Sequence, residues 1–345
     1  MDMTLPRPLV EVRDLQVSFI SREATVAAVN GVSFELLPGE VLCIIGESGS
    51  GKSVTMRSLL RLHAPRRTVI RGSIRVGEYD ILGLSERAMN EVRGSVVSMV
   101  FQEPMTALDP VYRIGDQIAE TVMRHEGASR RQAMARALEL LELVKVPSPE
   151  RRLRAFPHEL SGGLRQRAMI AVALSCRPSL LLADEPTTAL DATVQIQVLV
   201  MLRRLQREFG MGVIFVTHDL GVAAQIADKV AVMYAGRIIE YGSVADVLLH
   251  PAHPYTLGLL SSTVHGQSRD TQIEAIPGSP PDLRDLPPGC SFAPRCRFEI
   301  PACTTGFPAH VNVESDHAAS CLRVGDVRRA TLTPPQGVKV EAPTS

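Results

Sequence analysis

Gly46-Glu47-Ser48-Gly49-Ser50-Gly51-Lys52-Ser53 places two glycines with four residues between them, followed by a lysine and a serine. That spacing is the phosphate-binding loop pattern when a strand precedes it and a helix follows. Both flanks fit: residues 41–45 are a continuous apolar run of buried parallel-strand type, and 54–62 read as a helix. Glycines let the backbone N–H groups approach phosphate oxygens closely, and a helix N-terminus adds its positive end. Lys52 is expected to reach the β- and γ-phosphates and the Ser53 hydroxyl to sit on Mg2+, with the run from Gly46 to Val54 lining the nucleotide. The bland alternative, a chance glycine-rich turn, does not explain why strand, loop and helix agree.

Other groups could use what this loop holds. Asp184 and Glu185 end the apolar run 180–183, where one acid can join a magnesium shell and the next can orient and deprotonate an attacking water. Alone, such a pair is more often a solvated turn or a cap; a phosphate loop earlier in the chain favours the functional reading. His218 follows the apolar run 213–216 and could donate to a γ-phosphate, although a lone histidine there is usually structural. Gln102, at the end of 96–101, could reach metal or water, but carries no weight by itself. Phe19, at the end of a β-like run, could stack on an adenine ring or simply belong to the core. Leu160-Ser161-Gly162-Gly163-Leu164-Arg165-Gln166-Arg167 opens a second helix with a serine and two glycines, a second phosphate cradle. One nucleotide does not need two cradles from one chain. The economical expectation is a dimer with ATP at its interface, Ser161, Gly162 and Gly163 acting on a partner's nucleotide.

The elements that must position these groups alternate between strand and helix. Residues 9–19, 26–36, 72–79, 96–101, 180–183 and 213–216 read as strands; 114–146 carries helical periodicity, and helices follow at 164–175 and 193–209. Strands finishing in polar residues imply a site at the carboxyl ends of a sheet. The fold expected is α/β: a P-loop NTPase of RecA-like core with a helical subdomain at about 103–165. Past residue 260 the composition turns to Pro, Gly and Ser, giving an ATPase domain over 1–261, a linker at 262–285, a cysteine-containing module at 286–323 and a disordered tail at 324–345.

Composition narrows the class. The 345 residues are 45% hydrophobic and 21% charged, and Lys+Arg and Asp+Glu both number 37. A zero net charge gives no bulk attraction for polyanions, so nucleic acid is not an expected partner. No secretory signal and no window of about 18 uncharged apolar residues is visible, so the chain is not expected to span a membrane itself. Six cysteines without an export signal are expected to be reduced, and four lie together near one end: Cys290, Cys296, Cys303 and Cys321. An iron–sulfur cluster, a zinc site, and thiols that merely pack are all open to them, because the intervals are wider than in zinc ribbons or ferredoxins. His310 and His317 could substitute as ligands, but read more simply as surface histidines. Cys43 and Cys176 read as buried apolar residues of the core.

Taken in order, the loop 46–53, Gln102, 160–167, 180–185, Thr188-Ala189-Leu190-Asp191 and His218 resemble the nucleotide-binding subunit of ABC transporters over about residues 9–260. The resemblance implies Phe19 as the adenine-stacking aromatic, Glu185 as catalytic base, His218 as switch residue, Gln102 as the coupling loop to membrane subunits, Asp191 beside the nucleotide, and Ser161 to Gly163 acting in trans. Leu164 stands where many signatures carry Gln, which leaves Ser161 and the backbone donors in place. The run Phe101-Gln102-Glu103-Pro104-Met105-Thr106-Ala107-Leu108-Asp109-Pro110, with His253-Pro254-Tyr255-Thr256, Ile276-Pro277-Gly278-Ser279-Pro280-Pro281 and the four cysteines, is similar to oligopeptide and dipeptide importer ATPases, whose relatives also move nickel and glutathione.

That similarity implies ATP hydrolysis with ATP and Mg2+, magnesium held by Ser53, Gln102 and Asp184. It also implies a 4Fe-4S cluster on the cysteines in some members. The partners it implies are a second ATPase subunit, a paralogue, two membrane permease subunits and, indirectly, an extracytoplasmic solute-binding protein. The chain would sit peripherally at the cytoplasmic face of the inner membrane. A soluble ABC ATPase acting on ribosomes or DNA is the rival; it normally carries two cassettes or a long coiled-coil insertion, and neither is present. A regulatory ATP-binding protein without turnover is disfavoured by the intact Glu185 and His218.

Overall fold

A strand can bury five consecutive residues only where both its faces are covered, and the strand before the phosphate loop is buried at every position. The computed structural model of the chain describes residues 7–188, 190–262 and 275–331. Within them run twelve strands: β1 Val10–Ile20, β2 Thr25–Leu36, β3 Val41–Ile45, β4 Thr68–Val76, β5 Tyr79–Asp80, β6 Val97–Val100, β7 Leu180–Asp184, β8 Gly212–Thr217, β9 Lys229–Tyr234, β10 Arg237–Ser243, β11 Val311–Glu314 and β12 His317–Ala319. By their contacts the described residues fall into two units. One takes in Met1–Val10, Glu35–Val41 and Arg75–Val216, the other Glu11–Phe34, Leu42–Ile74 and Thr217–Ser345.

In the first unit β6, β7 and β8 are parallel neighbours, with Val97 opposite Leu180 and Leu180 opposite Gly212. All five residues of β7 are buried, so its polar end, Asp184, is held by a strand with nowhere to slip. The helical periodicity expected over 114–146 resolves into two helices, Ile114–Glu126 and Arg130–Leu143. Gly127 at φ 65° ends the first, and a reciprocal Ser129–Gln132 capping box starts the second. Their facing sides meet through Ala119, Val122 and Ala133, small enough to let the helices pack closely. The helices Gly162–Ala173 and Ala192–Phe209 also belong to this unit.

In the second unit the order is β11-β12-β10-β9-β3, alongside a sheet ordered β2-β1-β4. β3 and β9 are parallel, Leu42 opposite Lys229; β9, β10 and β12 are antiparallel, with Glu240 opposite Ala319. Residues 286–323, read from sequence as a small module, thus extend the edge of β10 and share a unit with the phosphate loop. In the region read as a linker, residues 263–274 lie outside the described residues, whereas Leu283 accepts a hydrogen bond from Ala27 N–H at 3.2 Å. The tail read as disordered begins with a helix, Val324–Thr331; residues 332–345 lie outside the described residues.

Glu240 is the polar centre of that junction. It is fully buried, and its Oε1 accepts from Ala252 N–H at 2.7 Å and from His317 Nε2 at 2.8 Å, while Oε2 accepts from His253 N–H at 2.9 Å. His317, read from sequence as a surface histidine, is therefore a buried partner of β10; His310 is exposed as expected. A carboxylate can be buried only with such partners, and here they tie β10, β12 and the start of helix Pro254–Ser261 to one point. Cys43 is buried as expected, whereas Cys176 is only half-buried.

Candidate functional site

The loop 46–53 has the geometry its glycines predict. Gly51 caps the helix Lys52–Ser58 at φ 102°, and a Cβ there would lie 2.5 Å from the Ala28 carbonyl oxygen; at Gly46 it would lie 2.2 Å from that of Met233. Lys52 is 5% exposed and its Nζ donates to the carbonyl oxygens of Gly46 (2.7 Å) and Glu47 (2.9 Å), bracing the loop from inside. Ser50 Oγ is buried with no hydrogen-bond partner among the described residues, a group awaiting an acceptor such as a phosphate oxygen. Ser53 and Val54 are half-buried on the first turn of the helix, and Ser48 and Gly49 are exposed at the loop tip. Phe19 lies in the same unit, half-buried, its ring edge-on to His63 with centroids 5.5 Å apart. His218 follows β8 and is exposed.

Glu47 is gripped from a part of the sequence that motif reading did not connect to it. Arg295 Nη1 and Nη2 donate to its two carboxylate oxygens at 2.8 and 3.1 Å, and its own N–H donates to Tyr255 Oη at 2.8 Å. No local spacing signals contacts between residues 248 and 208 positions apart.

In the first unit Asp184 is fully buried at the end of β7 and Glu185 turns out of the strand at φ 45°. A non-glycine residue in that region is strained, and such strain collects at functional sites. The Glu185 N–H donates to the Val216 carbonyl at 3.0 Å, while its Oε2 accepts from the Thr188 hydroxyl at 3.0 Å and the Gln102 amide at 3.3 Å. Chemically this is an oriented, half-buried carboxylate suited to accept a proton from water.

Ser161 opens the helix Gly162–Ala173 with no side-chain cap bond. Ser161, Gly162, Gly163, Arg167 and Asp191 line one open hollow of 510 Å³ within the first unit. Nothing lies within 4 Å of a Cβ built at Gly162. Asp191, expected beside the nucleotide, uses its carboxylate as a cap: Oδ1 accepts from Val194 N–H at 3.0 Å. Ala189 lies outside the described residues.

The four distal cysteines are free and electrostatically coupled. Burial pushes the Cys321 thiol up to about 12 and Cys296 up to about 11, with the neighbouring cysteines of the set adding to each rise. Burial likewise raises Cys290, with Cys303 contributing. Backbone N–H groups face two of the sulfurs, Phe298 to Cys296 Sγ at 3.3 Å and Arg323 to Cys321 Sγ at 3.2 Å. Among the described residues no three His, Cys, Asp or Glu side chains are placed to hold a metal ion.

Residues 29–188 match the family model described as ABC transporter, and residues 239–303 match that described as oligopeptide/dipeptide transporter, C-terminal region. A putative peptide import ATP-binding protein of Brucella melitensis is 49% identical over 329 residues, covering 92% of this chain and 97% of that one. The oligopeptide transport ATP-binding protein OppD of Salmonella typhimurium is 48% identical over 306 residues, covering 88% and 91%. Among solved structures, the dimeric post-hydrolysis state of the ATP-binding cassette MJ0796 bound to ADP and Pi is 27% identical, with a TM-score of 0.62 over 68% of this chain and 98% of that one.

Proposed function

The chain belongs to the ATP-binding subunits of peptide-import ABC transporters, and from that premise we propose how its residues couple ATP hydrolysis to transport. The loop 46–53 holds the triphosphate, Lys52 leaving its carbonyl partners for the β- and γ-oxygens, and Ser50 Oγ gaining the partner it lacks. Ser53, Gln102 and Asp184 would hold Mg2+ through oxygen ligands of the hard type it takes, and the bound ion would supply charge that offsets the phosphates. Glu185, aimed by Thr188 and Gln102, draws the proton from the attacking water, His218 donates to the γ-phosphate, and Phe19 stacks on the base. Ser161, Gly162 and Gly163 complete the site of a second ATPase subunit, a paralogue, with Asp191 holding the adjoining helix start.

The observation that carries this reading is the open hollow at Ser161–Gly163, a helix start whose serine is not used as a cap. Phe101, Met105, Val111 and Tyr112, close to Gln102 in sequence, are 38%, 44%, 71% and 57% exposed, large apolar side chains of the kind that dock on another protein. We assign them to the two membrane permease subunits, which receive solute from an extracytoplasmic binding protein and place this chain at the cytoplasmic face of the membrane. No helix among the described residues is long and apolar enough to cross a membrane.

The test is hydrolysis by the whole transporter in vesicles with its binding protein. Peptide is expected to stimulate phosphate release, and Ser161→Arg, which fills the hollow, to lower it by about 10²-fold, the scale of losing a preorganised anion site. Stimulation by nickel or glutathione in place of peptide would reassign the solute. Full activity in Ser161→Arg would remove the trans site.

We propose Cys290, Cys296, Cys303 and Cys321 as candidate ligands of a 4Fe-4S cluster on the chemistry of thiolate ligation and the N–H donors at two of the sulfurs, although no three of them are placed together to hold a metal ion. Anaerobic purification is expected to give about four irons and four sulfides per chain, lost in Cys296→Ser. Zinc alone, or no metal, would overturn the cluster and leave the ATPase reading intact.

A further inference from the structure

Glu47 is held at three points: its carboxylate by Arg295, its N–H by Tyr255 and its carbonyl by Lys52. Two of the three come from beyond β10. Arg295 is itself fixed, its Nε donating to the Pro277 carbonyl at 2.8 Å and Nη1 to Tyr234 Oη at 3.2 Å. Its guanidinium lies 5.8 and 5.9 Å from the ring centres of Tyr234 and Phe292, and Phe292 packs edge-on to Tyr234 and Tyr255 at 5.3 and 5.4 Å. Tyr255 is fully buried, and the Arg295 side chain is 6% exposed against 26% for Glu47. A bidentate pair in so dry a place fixes direction as well as distance. Hydrogen bonding to Glu47 raises the Arg295 pKa above its ordinary value, so the guanidinium stays charged.

We infer that Arg295 is a positioning residue for the phosphate loop: through Glu47, and with Tyr255, the carboxyl-terminal extension holds the loop in the conformation that receives nucleotide. The inference rests on the reading of residues 46–53 as the nucleotide's phosphate site. The extension is thereby a determinant of ATP affinity, not an appendage to a self-sufficient cassette. Because the hydrogen bonds of Arg295 given above go to Glu47, Tyr234 and Pro277, its loss is expected to act on binding rather than on the chemical step.

The experiment is a fluorescent-ATP titration with parallel hydrolysis assays on the full chain in its transporter, comparing wild type, Arg295→Gln, Arg295→Lys, Glu47→Gln and the Arg295→Gln/Glu47→Gln pair. Each single change is expected to weaken nucleotide binding and raise KM for ATP by about tenfold with kcat within about twofold. The pair should be no weaker than either single, the signature of two residues acting as a unit. Arg295→Lys, which keeps charge but loses the fork, is expected to restore less than half of the binding energy. Wild-type affinity in Arg295→Gln, or strictly additive losses in the pair, overturns the inference. If Arg295→Gln does not fold, Glu47→Gln decides alone, since its site is partly exposed: unchanged affinity there also overturns it. Lys52→Ala separates the premise: nucleotide binding that survives this change refutes the loop's assignment, whereas its loss leaves Arg295 to be judged by its own variants.

Discussion

Glu185→Gln is expected to lower ATP turnover by about 10³-fold while leaving nucleotide affinity within about twofold. The amide keeps the shape that accepts from the Thr188 hydroxyl, but can no longer take a proton from water. Since the backbone at φ 45° is set by the end of β7 and not by the side-chain charge, the variant should fold as the wild type does. ATP would then bind without being consumed, and the two-subunit state should persist. Phosphate release, nucleotide titration and size-exclusion in ATP give the three readings together. Retention of more than a tenth of the turnover would mean that another group takes the proton.

The largest stability effect is expected at Glu240, which belongs to none of the motifs. Glu240→Ala removes the acceptor for two buried backbone N–H groups and for His317, so three donors lose their partner at once. Leaving buried polar groups unpaired in this way costs about 3–5 kcal/mol, a large share of the ~5–15 kcal/mol that holds a typical domain. The loss should appear in denaturant unfolding as a lower midpoint. It should also carry into nucleotide affinity, because the helix that begins at Pro254 presents Tyr255 to Glu47. Glu240→Gln, able to accept at one oxygen only, should lose less. A change below about 1 kcal/mol in Glu240→Ala would show that water replaces the carboxylate and that the junction is not sealed.

Much of this was legible without coordinates because the relevant physics is local. A phosphate loop is a contiguous backbone device, and Gly46, Gly51, Lys52 and Ser53 declare it by type and spacing. β7 reads as buried because four apolar residues admit no exposed face, and Asp184 and Glu185 follow by position. The helices at 114–126 and 130–143 show their period, although the break at Gly127 needed the left-handed turn to place it. Asp191 was recognised through its neighbours, yet its cap on Val194 is a geometric fact that spacing alone leaves open.

The carboxyl-terminal third was less legible, for a definite reason. Proline-rich sequence and spaced cysteines describe composition, and composition does not say what a segment packs against. His317 looked like a surface histidine because it lies in a loop-rich tail; folding brings Glu240 to it across the β10–β12 pair. Arg295 belongs to no motif, and only the folded chain delivers its guanidinium to Glu47. By itself, then, the sequence determined the nucleotide chemistry and the family, since those rest on short motifs whose geometry the backbone enforces locally. The tertiary structure decided how the extension is used, because a buried charge takes its meaning from partners hundreds of residues away.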